Sequence, residues 1–180
     1  AAPSTRRTVL PAPWRFPPRA LYERPGFRRG LELARLGFGA AAARELAALG
    51  LGIRKGVATD DLWLVAVLFD RAGLWHQSHR VPRSLDRAYR AAYPITADSH
   101  RRWRVAYPLA FEALVRKNAS SAGIPAELAL SIMREESGFS PRIESWANAV
   151  GLMQLLLRTA RSAGNEHRME YNDIHHVVQE

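Results

Sequence analysis

The stretch Ile132-Met-Arg-Glu-Glu-Ser-Gly-Phe139, with Gly151-Leu-Met-Gln154 close behind it, decides how this chain is read. Wound as an α-helix at about 100° per residue, Leu128, Ala129, Ile132, Met133 and Phe139 gather on one broad apolar face, and Glu136 projects from its middle. Glu135 lies roughly 80° from the centre of that face, towards the polar side formed by Ser131 and Arg134. Two adjacent acids are therefore expected in different surroundings, Glu135 solvated and Glu136 enclosed. An enclosed carboxyl is costly to ionise and holds its proton near neutral pH, the property a general acid needs. The competing reading is a core acid tied to an arginine or to backbone amides. Against it, Ser137 and Gly138 are poor helix formers, Pro141 follows, and Ser145-Trp-Ala-Asn-Ala-Val-Gly151 reads as a loop. Glu136 is thus expected near the C-terminal end of its helix, opening towards that loop. A second helix is expected to start near Ala149 or Gly151 and to carry Gln154 inside the apolar run Val150-Gly-Leu-Met-Gln-Leu-Leu-Leu157. A buried amide without partners is costly, so Gln154 needs either protein groups or a polar ligand.

The pattern Arg134-Glu-Glu-Ser-Gly-Phe139, then Ser145 nine residues after Glu136, then Gly151-Leu-Met-Gln154 and Thr159-Ala160, resembles the soluble lytic transglycosylases, whose catalytic domain is goose-type-lysozyme-like. Upstream, Tyr107-Pro-Leu-Ala110, the helix through Lys117 and Ile124-Pro125 are similar to the entry of that domain, so the likeness covers about residues 103–160. By that resemblance Glu136 is the catalytic acid and base. Ser145 is implied as a polar neighbour, and Gly151, Met153 and Gln154 belong to the substrate-binding element, Gln154 helping to bind the sugar. The implied reaction cleaves the β-1,4 bond between N-acetylmuramic acid and N-acetylglucosamine in peptidoglycan, leaving a 1,6-anhydro ring and consuming no water. Ordinary glycosidases use two carboxylates, whereas in substrate-assisted families the sugar's own N-acetyl group stabilises the oxocarbenium-like centre, which accounts for a single acid. Glu135 is not a second catalyst on this reading, because adjacent helical residues diverge by about 100°.

The chain departs from the family towards its end. Leu157 stands where family members usually have proline, and Leu156 where many have methionine. The family continues to an Ala-Tyr-Asn-Ala-Gly element that completes the groove, whereas this sequence ends at Glu180; Tyr171-Asn172 matches only two letters and lies too near Gln154 to be that site. A truncated enzyme or a remnant domain without turnover is therefore expected. The alternatives are a hydrolytic muramidase at the same site and a catalytically silent glycan-binding or assembly module.

A length of 180 residues with 47% hydrophobic and 24% charged content is that of a folded chain. The absence of cysteine excludes disulfides, thiol catalysis and Cys-based metal sites. His76 and His79, and His167, His175 and His176, have no zinc-type spacing, so neither metal nor cofactor is expected. No Ser-His-Asp order or glycine-rich phosphate loop supports an esterase or nucleotide site. A net charge of +9 attracts cell-wall polymers, anionic lipid and nucleic acid alike. The arginines are scattered, as in Arg6, Arg28, Arg29, Arg71 and Arg83, without a recognition stripe, so nucleic acid is not expected and peptidoglycan glycan strands are the implied partner. No apolar run approaches a membrane span, and Ala1-Ala-Pro-Ser lacks a leader. Any signal peptide is expected to have been removed, and the implied substrate points to the periplasm or cell envelope.

The expected fold is all-α: a helical-repeat, solenoid-like N-terminal part followed by a lysozyme-like helical domain truncated at its C-terminus. Residues 1–20, with Pro3, Pro11, Pro13, Pro17 and Pro18, predict an extended arm that Trp14 and Phe16 pin to the body. Residues 21–95 read as helical. Gly37-Phe38 and Gly73-Leu74 lie 36 residues apart, each between helical stretches, which suggests stacked helix pairs. The Arg101-Arg102-Trp103-Arg104 cluster reads as a solvated helix start whose Trp packs inward. Tyr93-Pro94 with Thr96 and Asp98 reads as the linker to a lysozyme-like domain over residues 96–180.

Overall fold

In a computed structural model, the structure describes residues 16–86, 88–92, 94–96 and 99–166. Every regular element among them is helical, as the apolar periodicity predicts; two isolated antiparallel bridges, Glu144 with Val150 and Val150 with Leu155, are the exception. Most of the proline-rich arm, Trp14, the linker's Tyr93 and Asp98, His167, His175, His176 and Tyr171-Asn172 lie outside the described residues. Among the described residues no helix is long and apolar enough to cross a membrane.

The chain divides into two compact units at Pro108 and Leu109. In the first, a short 3-10 turn at Ala20–Glu23 leads into α1 (Pro25–Arg35), α2 (Gly39–Ala48), α3 (Thr59–Arg71) and α4 (Trp75–Arg80). Helix α4 runs on as a π-type turn, Val81–Leu85, and α5 (Tyr89–Ala92) and α6 (His100–Ala106) complete the unit. The two positions 36 residues apart are built alike. Phe38 N–H donates to Leu33 O at 2.9 Å and Leu74 N–H to Phe69 O at 2.8 Å, with Gly37 and Gly73 left-handed at φ 81° and 72°. Each glycine closes its helix with the i to i−5 bond of a Schellman end, a conformation that a Cβ disfavours. The helix pairs α1 with α2 and α3 with α4 therefore turn by the same device.

Phe27, Ala34, Ala42, Leu46, Leu51, Leu64, Val65 and Phe69 form one core, and Phe16 packs against it as the sequence anticipates. A second core gathers Leu62, Trp63, Ala66, Val81, Tyr89, Val105 and Ala106. Trp63 donates its indole N–H to Asp86 Oδ2 at 2.7 Å, so the one polar atom of a fully buried ring is satisfied. Trp103 packs edge-on against Tyr89 at 5.3 Å, the inward packing expected of it. Because Val105 and Ala106 belong to this second core, α6 packs within the first unit. Thr96 nonetheless orders the approach to α6, its amide donating to Ser99 Oγ at 3.0 Å and its own Oγ1 accepting from Ser99 N–H at 3.3 Å.

The second unit contains α7 (Glu112–Ser121), α8 (Ala126–Glu136) and α9 (Leu157–Glu166), with a long loop between α8 and α9. Helix α7 buries Val115 and Ala119, and α8 buries Leu130 and Met133. Pro125 precedes the first turn of α8 in extended backbone, consistent with a fixed proline φ feeding a helix start.

Candidate functional site

Helix α8 ends at Glu136, and the next three residues show why. Ser137 is buried, its hydroxyl donating to Met133 O at 2.9 Å and accepting the Phe139 N–H at 3.1 Å. Gly138 and Phe139 then turn left-handed at φ 55° and 65°, and Phe139 inserts into the core. A bulky residue rarely adopts that backbone, so burial of the phenyl ring must offset the strain. The chain reverses here, and Glu136 is fixed at the rim of the turn.

The expected enclosure of Glu136 is not found, and this corrects the wheel reading. The buried face of α8 is Leu130, Met133 and the following Ser137, and Glu136 lies about 90° from it. Leu128 and Ile132 remain 49% and 37% exposed, and Glu136, one turn beyond Ile132, is exposed with them. Counting apolar residues made the face too broad: the core takes only its Leu130 and Met133 edge. The two acids still differ. Glu135 pairs with Arg134, whereas the Glu136 carboxyl forms no hydrogen bond or ion pair with any described residue. What the structure offers is an accessible, unpaired carboxyl at the end of an open apolar strip.

The α8–α9 loop holds the other named residues together. Ser145 accepts the amides of Ala147 and Ala149 on Oγ at 3.3 and 3.0 Å, so its hydroxyl organises the turn. Gly151, left-handed at φ 78°, donates its N–H to Ile143 O at 3.0 Å. Gln154 donates Nε2 to Ile143 O at 3.1 Å and to Gly151 O at 3.0 Å. Both amide donors are thus satisfied by protein, and Oε1 is left as an acceptor without a described partner. Met153 is 37% exposed beside it in sequence. Gln154 is not helical, contrary to the expectation of a helix starting near Ala149 or Gly151. It sits in a turn at φ 48°, and α9 begins only at Leu157, because the bridges of Val150 to Glu144 and Leu155 commit this segment to a tight loop.

Three of the four non-glycine left-handed residues among those described, Phe139, Asn148 and Gln154, lie in this loop; Phe111 is the other. Local strain of this kind persists where surrounding bonds over-determine the backbone, and it gathers at functional sites. Sequence reasoning missed Ile143, whose carbonyl anchors both Gly151 and Gln154, because a backbone acceptor leaves no trace in residue type. It also missed the clamping role of Ser137. Asn148 carried a usable signal, since Asn tolerates φ 59° better than most residues. Among the described residues no group of His, Asp and Glu is arranged to hold a metal ion.

The arrangement is that of a helical, lysozyme-like fold. The 70 kDa soluble lytic transglycosylase from Escherichia coli matches 89% of this chain with a TM-score of 0.60 at 22% identity, over 24% of its own length. An inactive mutant of the lytic transglycosylase Slt from Pseudomonas aeruginosa matches 88% of this chain, and 23% of its own, with a TM-score of 0.59 at 19% identity. These likenesses establish a shared fold. Residues 113–180 match the family "Transglycosylase SLT domain". Membrane-bound lytic murein transglycosylase C of Actinobacillus pleuropneumoniae serotype 5b is 55% identical over 47 residues, 26% of this chain and 13% of the relative. The namesake from Haemophilus influenzae strain PittEE is 51% identical over the same shares. The match thus spans about an eighth of the length of these curated relatives.

Proposed function

We propose that the protein is a peptidoglycan lytic transglycosylase of the cell envelope, with Glu136 as its single acid and base. The observation that carries this reading is the accessible, unpaired carboxyl of Glu136 at the end of α8, within the residues 113–180 that match the family. A glycan strand lying along Leu128 and Ile132 would itself exclude water from that carboxyl, supplying on binding the enclosure that the free chain lacks. Glu136 then protonates the glycosidic oxygen, which leaves as a neutral hydroxyl as the bond to the muramoyl C1 breaks. The resulting carboxylate takes the proton of the C6 hydroxyl while that oxygen bonds to C1, closing the 1,6-anhydro ring. Proton and electron pair are both returned, and no water is consumed. Gln154 Oε1 accepts a hydrogen bond from a sugar amide or hydroxyl, Gly151 and Met153 line the same element, and Ser145 holds its loop in shape.

The exposure of Glu136 favours one competing reading, a glycan-binding or assembly module without turnover. Mass spectrometry of murein incubated with the protein separates the possibilities. Products lighter than hydrolytic fragments by one water support the transglycosylase. Hydrolytic masses would make it a muramidase, and retention on murein without products would make it the silent module.

A further inference from the structure

The N-terminal unit contains a cleft of about 290 Å³ lined by α3 and α6, remote in sequence from the glycan site. Its apolar lining is Val67 and Val105, and its charged lining includes Asp70, Arg71, Arg101 and Arg104. Val67 and Asp70 share a face of α3, and Arg101 and Arg104 are one turn apart on α6. Three guanidinium groups against one carboxylate leave the cleft with an excess of positive charge. Arg71, Arg101 and Arg104 form no ion pair within 4 Å among the described residues, so their forks remain open to a ligand. Asp70 is half-buried; desolvation raises its pKa, and the charges of Arg104 and Arg71 oppose that rise.

We propose that this cleft binds the carboxylate end of a short peptide. Arg101 and Arg104 supply the planar, forked donors that match a carboxylate's two oxygens. Val67 and Val105 offer apolar surface to the carbon next to it, which a bare inorganic anion would leave unused. Asp70 accepts the N–H of the last peptide bond, and its negative charge disfavours a dianion in the same space. The volume lies at the small end for ligand sites, enough for a terminal residue and its amide and too small for a folded partner.

Titration calorimetry on the full chain at low salt tests this with N-acetyl-alanyl-alanine, the same peptide as its C-terminal amide, and inorganic phosphate. The acid should bind saturably, with the amide and phosphate each weaker by about tenfold or more, the loss expected for removing charge-assisted hydrogen bonds. Arg101→Gln and Arg104→Gln should each weaken the acid to a similar degree, Arg104→Lys should weaken it less, and Arg158→Gln, an exposed arginine of the other unit, should leave it unchanged. The proposal is overturned if the acid fails to bind, if amide or phosphate binds as tightly as the acid, or if the cleft variants bind like the parent while unfolding at the same temperature.

Discussion

Ser137 and Ser131 make the same bond in opposite surroundings, and the pair tests how the end of α8 is held. Ser131 Oγ donates to Glu127 O at 2.8 Å on an exposed face, and Ser137 Oγ donates to Met133 O at 2.9 Å in the core. Only Ser137 also accepts a buried backbone amide, that of Phe139, at 3.1 Å. Ser137→Ala therefore removes two hydrogen bonds at about 0.5–1.5 kcal/mol each, or about 1–3 kcal/mol together. The Phe139 amide keeps a long bond to Met133 O at 3.4 Å, which places the loss towards the lower half of that range. Ser131→Ala loses a bond that water replaces and gains helix propensity, so its stability should stay within about 0.5 kcal/mol of the parent. Urea unfolding gives the two free energies, and hydrogen exchange localises them: the Phe139 amide should lose protection in Ser137→Ala and keep it in Ser131→Ala. Equal effects of the two substitutions, or an unchanged Phe139 amide, would refute the view that Ser137 fixes the position of Glu136.

Other expectations are as direct. A Cβ on Gly30 would meet Leu46 Cγ and Cδ2 at 3.0 Å, so Gly30→Val should destabilise the α1–α2 pair by about 1–3 kcal/mol in urea unfolding. Burial raises the Asp70 pKa above its ordinary 3.8, so the folded chain binds that proton more tightly than the unfolded chain. The stabilisation is complete below 3.8 and is lost as pH rises through the folded value. Asp70→Asn should therefore be more stable than the parent near neutral pH, by a margin that shrinks on acidification, as read from thermal melts across pH.

The all-helical class, the ends of α1 and α3 at Gly37 and Gly73, and the end of α8 at Glu136 were all legible in the sequence. Each is written in local residue chemistry: apolar periodicity, a glycine that permits φ near 80°, and a Ser-Gly pair that stops a helix. The inward packing of Trp103 and Phe16 followed from their isolation among arginines and prolines. What was not legible depends on partners distant in the chain. Periodicity cannot say which edge of a wide apolar face the core will take, so Leu128, Ile132 and Glu136 were assigned inside although the core takes Leu130 and Met133. The run Val150 to Leu157 has helical composition, yet bonds to Glu144 and Ile143 hold its first part as a loop. The fit of α6 to the N-terminal unit rests on Val105 and Ala106 meeting Trp63 and Tyr89, a long-range packing choice.

The claim that Glu136 alone carries the chemistry is tested most directly by comparing Glu136→Gln with Glu135→Gln for murein binding and release of soluble products. Glu136→Gln should bind murein like the parent and release nothing, while Glu135→Gln, which weakens the pair with Arg134, should keep most of the parent's activity. Undiminished release by Glu136→Gln, or equal loss in both variants, would contradict the account.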